Sequence, residues 1–433
     1  MIVVLGAGLA GLSTALHLEG REYRVIEREP EPGGLARTAS VDGFLFDFAG
    51  HVLHFKNPIV LELLEQLLGG TLLQIERSAW VRFRDRLIPY PFQAHTHQLP
   101  EDVRLECLRS FADTLIRPTP PGPPDPKELL RPFTDWVQGA FGEGFARHFF
   151  LPYTQKCFAA DPATLTSEWA AGAVPRPGLE DVLRGALGIP NQQFGYHSSF
   201  RYPKGGAIRR LPRALAERIQ PLSTGVEVVK IESRRRRAHL SNGESIGYEA
   251  LVATNPLPEL IRLIDDLDPE PARMARRLRW SSAASFSYGL EGPLGHSRHW
   301  TYYPEPRYPF YRVGFPSNLT PAMAPSGMSS ICAEVAYPSD RFPPAEDQHD
   351  LVLEQLRQAG EIDRLDRVRV RKRLDLPFAR VLFDEHRREV VPVLMDALES
   401  LAIHPAGCFG SWSYLSMEGS ILEGRRVAEA LRG

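Results

Sequence analysis

The chain has 433 residues, enough for two or three domains and a sizeable core. Hydrophobic residues make up 43% and charged residues 24%, with a formal net charge of −2, so the charge balance gives no sign of nucleic acid as a partner. No apolar run is long enough to span a bilayer, the first predicted strand begins at Met1 with no room for a leader, and four scattered cysteines without a CxxC pair read as free thiols; these features predict a cytoplasmic protein without a membrane partner.

Met1 to Leu5 is a short apolar strand that runs into Gly6-Ala7-Gly8-Leu9-Ala10-Gly11. An amphipathic helix follows, then the strand-like run Tyr23-Arg24-Val25-Ile26, which ends on Glu27. Strand, glycine turn, helix, strand and acid each have a physical part in holding a dinucleotide. Gly6 allows the tight turn, Gly8 lets a pyrophosphate approach the backbone, and Gly11 lets helix and strand pack closely. The helix N-terminus offers N–H groups to phosphate, and Glu27 would accept from a ribose hydroxyl. The next glycines, Gly33-Gly34-Leu35-Ala36-Arg37-Thr38, and then Phe46-Asp47-Phe48-Ala49-Gly50-His51, give a pattern that resembles the flavoprotein superfamily of amine oxidases, porphyrinogen oxidases, phytoene desaturases and UDP-galactopyranose mutases. That resemblance implies FAD, with Leu35 and the paired glycines passing close to it and Arg37 near its phosphates.

Asn57-Pro58 is a helix start, and Gly69-Gly70 its end. Trp80 to Ile88 is a hairpin with its turn near Asp85. Alternating prolines predict an extended run over Pro89-Tyr90-Pro91-Phe92-Gln93, a pocket wall or a plain connector. Residues 101–116 are helical, 117–126 a proline-rich loop, and 127–187 mostly helical, with Thr134 or Asp135 as a cap and Leu151-Pro152-Tyr153 as a break. Arg201 to Ile208 is a turn before a helix at 211–219. Val226 to Ile231 is a strand, followed by an Asn242-Gly243 hairpin whose four arginines, Arg234 to Arg237, read as a solvated edge. Ala250 to Ala253 is a buried strand, 280–340 an antiparallel sheet, Ala345 to Ala359 a helix, and a last helix runs to about Leu431 with Gly419 just ahead of it.

Four stretches sharpen the resemblance: Ala49-Gly50-His51-Val52, Ile88 to Gln93, Trp300 to Glu305 with Pro309-Phe310-Tyr311-Arg312, and Phe409-Gly410-Ser411-Trp412. They are similar to UDP-galactopyranose mutases of the longer eukaryotic type, in order and over nearly the whole chain. The resemblance implies an α/β fold: a Rossmann-type FAD-binding domain (1–78, 200–256 and 400–433), an inserted helical subdomain (100–199), and an antiparallel β-sheet substrate domain (79–99 and 257–399). It implies a flavin-dependent nucleotide-sugar mutase that interconverts pyranose and furanose forms through a reduced-flavin N5–sugar adduct. NADPH or NADH would be the reductant, and there is room for an oligomer. The alternative is an FAD-dependent oxidoreductase of the amine oxidase or porphyrinogen oxidase type.

Carried over by position, Gly50, His51, Val228, Gly419 and Ser420 would meet the flavin cofactor, with His51 beside the flavin ring. Tyr90 and Gln93 would hold the nucleobase end, Tyr302 and Tyr414 the diphosphate, Trp300 the sugar, and Phe158 would be the lid. Arg312 would be the diphosphate clamp, because a guanidinium fork binds phosphate bidentately. Read as residues alone, Tyr90 and Trp300 also fit core aromatics, Arg312 a salt bridge, and His51 a core histidine. The departures fall on the same pocket: two arginines of the family pattern become Ala173 and Cys408, with Arg176 a nearby substitute, and two asparagines become Glu418 and Thr154.

Overall fold

The structure, a computed structural model, describes residues 1–116, 130–170, 174–191, 198–343 and 348–432. Ile2–Leu5 is the central strand of a five-stranded parallel sheet, flanked by Tyr23–Glu27 and Leu222–Thr224 on one side and by Ala250–Ala253 and Ile403–Pro405 on the other. Its side chains alternate between two cores. Val3, Leu5, Ile26 and Leu251 face one, and Ile2, Val4, Val25 and Val252 face the other. A parallel sheet covered on both faces needs such continuous apolar strands, which is why MIVVL is readable as one.

Helix Leu9–His17 lies in close contact with the C-terminal helix Met417–Arg432. Ser13 Oγ donates to Ile421 O at 2.6 Å and Thr14 Oγ1 to Gly424 O at 3.1 Å. Gly424 allows this approach, since a Cβ there would stand 2.2 Å from Ala10 O. The contact carries the start of the last helix to the glycine turn. That helix begins at Met417, so Gly419 lies within its first turn rather than ahead of it.

A seven-stranded sheet forms the second layer, in the order Val368–Val381, Trp280–Glu291, Met328–Pro338, Arg312–Gly314, Trp300–Tyr302, Ala79–Phe83, Arg86–Pro89. It is antiparallel except where Trp300–Tyr302 runs parallel to Ala79–Phe83. Its register places Ser285, Glu334, Arg312 and Tyr302 in one row across four strands. Residues 257–278 and 381–399, assigned from sequence to this sheet domain, pack instead on the parallel sheet. Leu257, Leu260, Leu278, Val390, Leu394 and Leu398 share a core with Val3 and Leu5, because these helices are amphipathic and that face of the sheet is apolar.

The helical layer comprises Glu101–Ile116, Phe133–Phe145, a π-helical turn Ala146–Phe150, and Leu151–Phe158. Two expectations fail here. The second helix starts at Phe133, behind Pro132, so neither Thr134 nor Asp135 caps it. Pro152 does not break the run: right-handed helical backbone continues from the π turn Ala146–Phe150 into Leu151–Phe158, with Pro152 as that segment's second residue. Elsewhere the extended run ends at Pro91, since Phe92–Ala94 is a 3₁₀ turn. Ser199–Pro203 is a strand paired with Leu72–Glu76 rather than a turn, the helix after it spans Arg210–Ala216, and the strand predicted from Val226 begins at Val228. The helix expected from Ala345 is described over His349–Gln358; Ala345, the proline-rich 117–126 loop and Ala173 lie outside the described residues. Among the described residues no helix is long and apolar enough to cross a membrane, and no cluster of His, Cys, Asp and Glu could hold a metal ion.

Candidate functional site

A cavity of about 1590 Å³ runs from the glycine turn, past Gly50 and His51, to the space between the seven-stranded sheet and the helical layer. That exceeds the roughly 300–1,000 Å³ of an ordinary small-ligand pocket, so a dinucleotide and a second ligand fit together.

The first end is built as the sequence predicts. Gly6 has φ +92°, which an L side chain rarely adopts, and a Cβ on Gly11 would stand 2.0 Å from Gly6 O. Helix Leu9–His17 carries no side-chain cap and no acid in its first turn, so its N-terminal dipole faces the cavity uncompensated. Glu27 is fixed by backbone: Ala7 N donates to its Oε2 at 2.6 Å and Glu29 N to its Oε1 at 2.9 Å. Gly8, Gly33, Gly34, Leu35, Arg37, Val228, Gly419 and Ser420 line this end. Gly11 does not; its part is packing. Arg37 is already engaged, donating to Glu29 at 2.6 Å and Gly34 O at 2.9 Å, and stacks over Phe48. These residues fit FAD: an uncapped helix N-terminus for pyrophosphate, glycine backbone beneath it, and an acid at the end of the second strand.

The other end is aromatic with embedded cations. Tyr302 lies between Tyr90 and Tyr153, with ring centroids 5.2 and 5.3 Å away. Phe158 packs on Trp169 at 4.6 Å, and Trp169 meets Tyr414 at 6.4 Å. Burial pushes the Tyr90 and Tyr302 phenols above their ordinary values, whereas Tyr414 is exposed; all three are neutral hydroxyls at pH 7 in any case. Arg312, itself partly exposed, forms an ion pair with the buried Glu334. It donates to Glu334 Oε1 from Nη2 at 2.6 Å and from Nε at 3.1 Å, Gly50 N donates to the same oxygen at 3.1 Å, and Tyr311 OH donates to Oε2 at 2.5 Å. Burial raises the Glu334 carboxyl, but the Arg312 charge and these hydrogen bonds outweigh it, so it lies below its ordinary value. His51 is pushed down to about 4, by burial first and the Arg312 charge second, and its Nδ1 has no partner. Trp300 lines the cavity beside it, packed on Phe200.

Gln93 is a correction. It is buried, donates to Pro175 O at 2.7 Å, and lies off the cavity, because the 3₁₀ turn points it toward the neighbouring loop. Arg176 stacks on Trp136 and does not line the cavity either. Glu418 turns away: its Oε1 accepts from Lys56 N and Asn57 N at 2.6 Å, at the start of helix Pro58–Leu68. Cys408 and Thr154 do line the cavity, and Cys408 Sγ donates to Ser413 O at 3.0 Å. Sequence reasoning missed Arg77, Tyr153, Glu334 and Arg380, all of which line the far end. An arginine closing the apolar stretch Leu376-Pro377-Phe378-Ala379-Arg380 was the available signal for one of them.

The sequence profile of the family described as flavin containing amine oxidoreductase matches residues 9–432. Over the whole chain the fold is similar to a crystal structure of reduced UDP-galactopyranose mutase, with a TM-score of 0.89 at 26% identity, covering 99% of this chain and 95% of that one. A zeta-carotene-forming phytoene desaturase of Myxococcus xanthus is 24% identical over 398 residues, covering 78% of this chain and 72% of the relative. A phytoene dehydrogenase of Streptomyces griseus is 52% identical over 54 residues, only 12% of this chain and 11% of that protein.

Proposed function

The chain belongs to the flavin-containing amine oxidoreductase family and is an FAD-dependent enzyme, and from that premise we propose that it is a nucleotide-sugar mutase that interconverts pyranose and furanose forms. The observation that carries this reading is the whole-chain likeness to UDP-galactopyranose mutase, at a TM-score of 0.89. The flavin, bound and reduced, would supply the nucleophilic centre that opens and recloses the sugar. The chain's own residues bind, orient and exclude water. Tyr302 and Tyr414, neutral at pH 7 like any phenol, present hydroxyls that would donate to a diphosphate. Arg312, fixed by Glu334, contributes a guanidinium at the cavity wall beside Gly50. Phe158 and Trp169, packed on each other, line the same cavity. His51 is neutral at pH 7, so it does not add charge beside the flavin.

A second reading, oxidation of a polyene, is favoured by the 24% identity to the carotene-forming desaturase. The Arg380 guanidinium and the phenols at the far end speak against it, since a hydrocarbon substrate would desolvate them and offer no acceptor. The test is turnover of a panel of nucleotide sugars by the purified enzyme, oxidised and dithionite-reduced. A pyranose/furanose product pair only in the reduced sample supports the mutase. No product from any sugar, together with flavin bleaching by a polyene under anaerobic conditions, would replace it with the oxidoreductase.

A further inference from the structure

We propose that Arg380 is the residue that receives the substrate's diphosphate and makes this cavity select a charged nucleotide; this rests on the nucleotide-sugar reading above. Around Tyr311, at the far end of the cavity, the charges do not balance. Two guanidiniums flank the Tyr311 phenol. Arg312 is matched by Glu334 at 2.6 Å. Arg380 stacks 4.7 Å from the Tyr311 ring centre and donates from Nη1 to Cys157 O and from Nη2 to Tyr311 OH, both at 3.1 Å. Both acceptors are neutral, and among the described residues no carboxylate forms an ion pair with Arg380. The other acids on this part of the wall are committed: Glu168 faces Arg387 at 3.5 Å and Asp375 holds Arg373 at 2.6 Å. Around Tyr311, then, two guanidiniums face one carboxylate, and Arg380 stands without an acid of its own beside the hydroxyls of Tyr153, Tyr302 and Tyr414.

An isolated cation behind aromatic walls is costly to bury without an anion. The backbone shows that its position is built. Ser281 pairs with Arg380 and Ala283 with Leu376, so two steps along one strand oppose four along the other. This bulge turns Arg380 toward the cavity. A bulged arginine with spare donors, next to phenols that donate but carry no charge, matches a diphosphate's dispersed negative charge and many acceptor oxygens.

The test is equilibrium binding to the FAD-loaded enzyme, followed by the flavin difference spectrum. The ligands are UDP, GDP, ADP and dTDP, with the matching nucleosides as uncharged controls. Arg380→Gln is expected to weaken the preferred nucleoside diphosphate roughly ten- to a hundredfold and leave its nucleoside within about twofold, with Arg380→Lys recovering part of the loss. Arg380→Met, which keeps the stem's packing, makes the same comparison should the glutamine variant not fold. Equal loss for nucleotide and nucleoside means Arg380 only shapes the pocket and overturns the proposal. Unchanged diphosphate affinity in the variants, with wild type binding normally, overturns it while leaving the mutase reading standing. Failure of wild type to bind any of the four diphosphates removes the nucleotide-sugar reading itself.

Discussion

Replacing Glu334 with glutamine should unbalance the centre of the site. The carboxylate accepts from Arg312 twice, from Gly50 N and from Tyr311 OH, and is 4% exposed. A glutamine amide has one acceptor oxygen and two donors. Turned one way it sets N–H groups against the Arg312 guanidinium; turned the other, the Tyr311 hydroxyl loses its acceptor. Removing one partner of a buried pair costs about 3–5 kcal/mol, because the remaining charge stays buried unmatched. With about 2.1 cal/mol/K of unfolding entropy per residue, 433 residues give about 0.9 kcal/mol per degree, so the melting temperature should fall by roughly 3–5 °C. Calorimetry of the FAD-loaded variant reads this directly. The double variant Arg312→Met/Glu334→Leu should recover most of the loss, since an apolar pair replaces both charges. The folded Glu334 carboxyl lies below its reference value of 4.5, so its contribution is complete above that pH and disappears as pH falls through the folded value. The deficit of the glutamine variant should therefore shrink in acid. A single variant that melts within a degree of wild type, or a double variant no better than the single, would refute the reasoning.

Gly424→Ala places a methyl 2.2 Å from Ala10 O, so the two helices must separate. It should cost about 1–3 kcal/mol by overpacking and weaken FAD retention, measured by flavin release on heating. Glu418→Ala removes the acceptor for Lys56 N and Asn57 N. It should lower stability by about 1–2 kcal/mol in denaturant titration and leave nucleotide affinity unchanged, because the carboxylate faces away from the cavity. His51 titrates near 4 in the fold against 6.5 in the unfolded chain. The unfolded state binds more protons between those values, so stability should fall as pH drops from about 6.5 to 4, by at most about 3 kcal/mol. His51→Gln should flatten that part of the pH–stability curve. A wild-type curve already flat there would show that solvent reaches the imidazole.

What the sequence made legible was local. The turn from Gly6 to Gly11 and the acid at Glu27 lie within one βαβ unit, where spacing along the chain is spacing in space. The Asn57 cap and the hairpin near Asp85 are readable for the same reason. Failures came where a distant partner overrode local preference. Pro152 reads as a break, yet the π turn that ends at Phe150 absorbs the register change and lets the helix continue. Gln93 reads as part of a pocket wall, but the chain after Pro91 turns into a 3₁₀ segment and buries it against Pro175.

The site itself shows why motif and charge must be read separately. Phe310-Tyr311-Arg312 was visible as a motif, but its meaning depends on Glu334, 22 residues away in a neighbouring strand. Seen alone, Arg312 is a clamp; seen with Glu334, its charge is already matched. Arg380, on the far edge strand of the same sheet, has no carboxylate ion-pair partner among the described residues and is reached through a bulge that no periodicity reveals. The readable βαβ unit carries the features that fit FAD, and the fold around it is similar to that of a UDP-galactopyranose mutase. What enters opposite the flavin is decided by the charges left unpaired when the second sheet closes. In this chain Arg380 stands there among phenols without a carboxylate partner among the described residues, and the proposed diphosphate is the ligand that would match it.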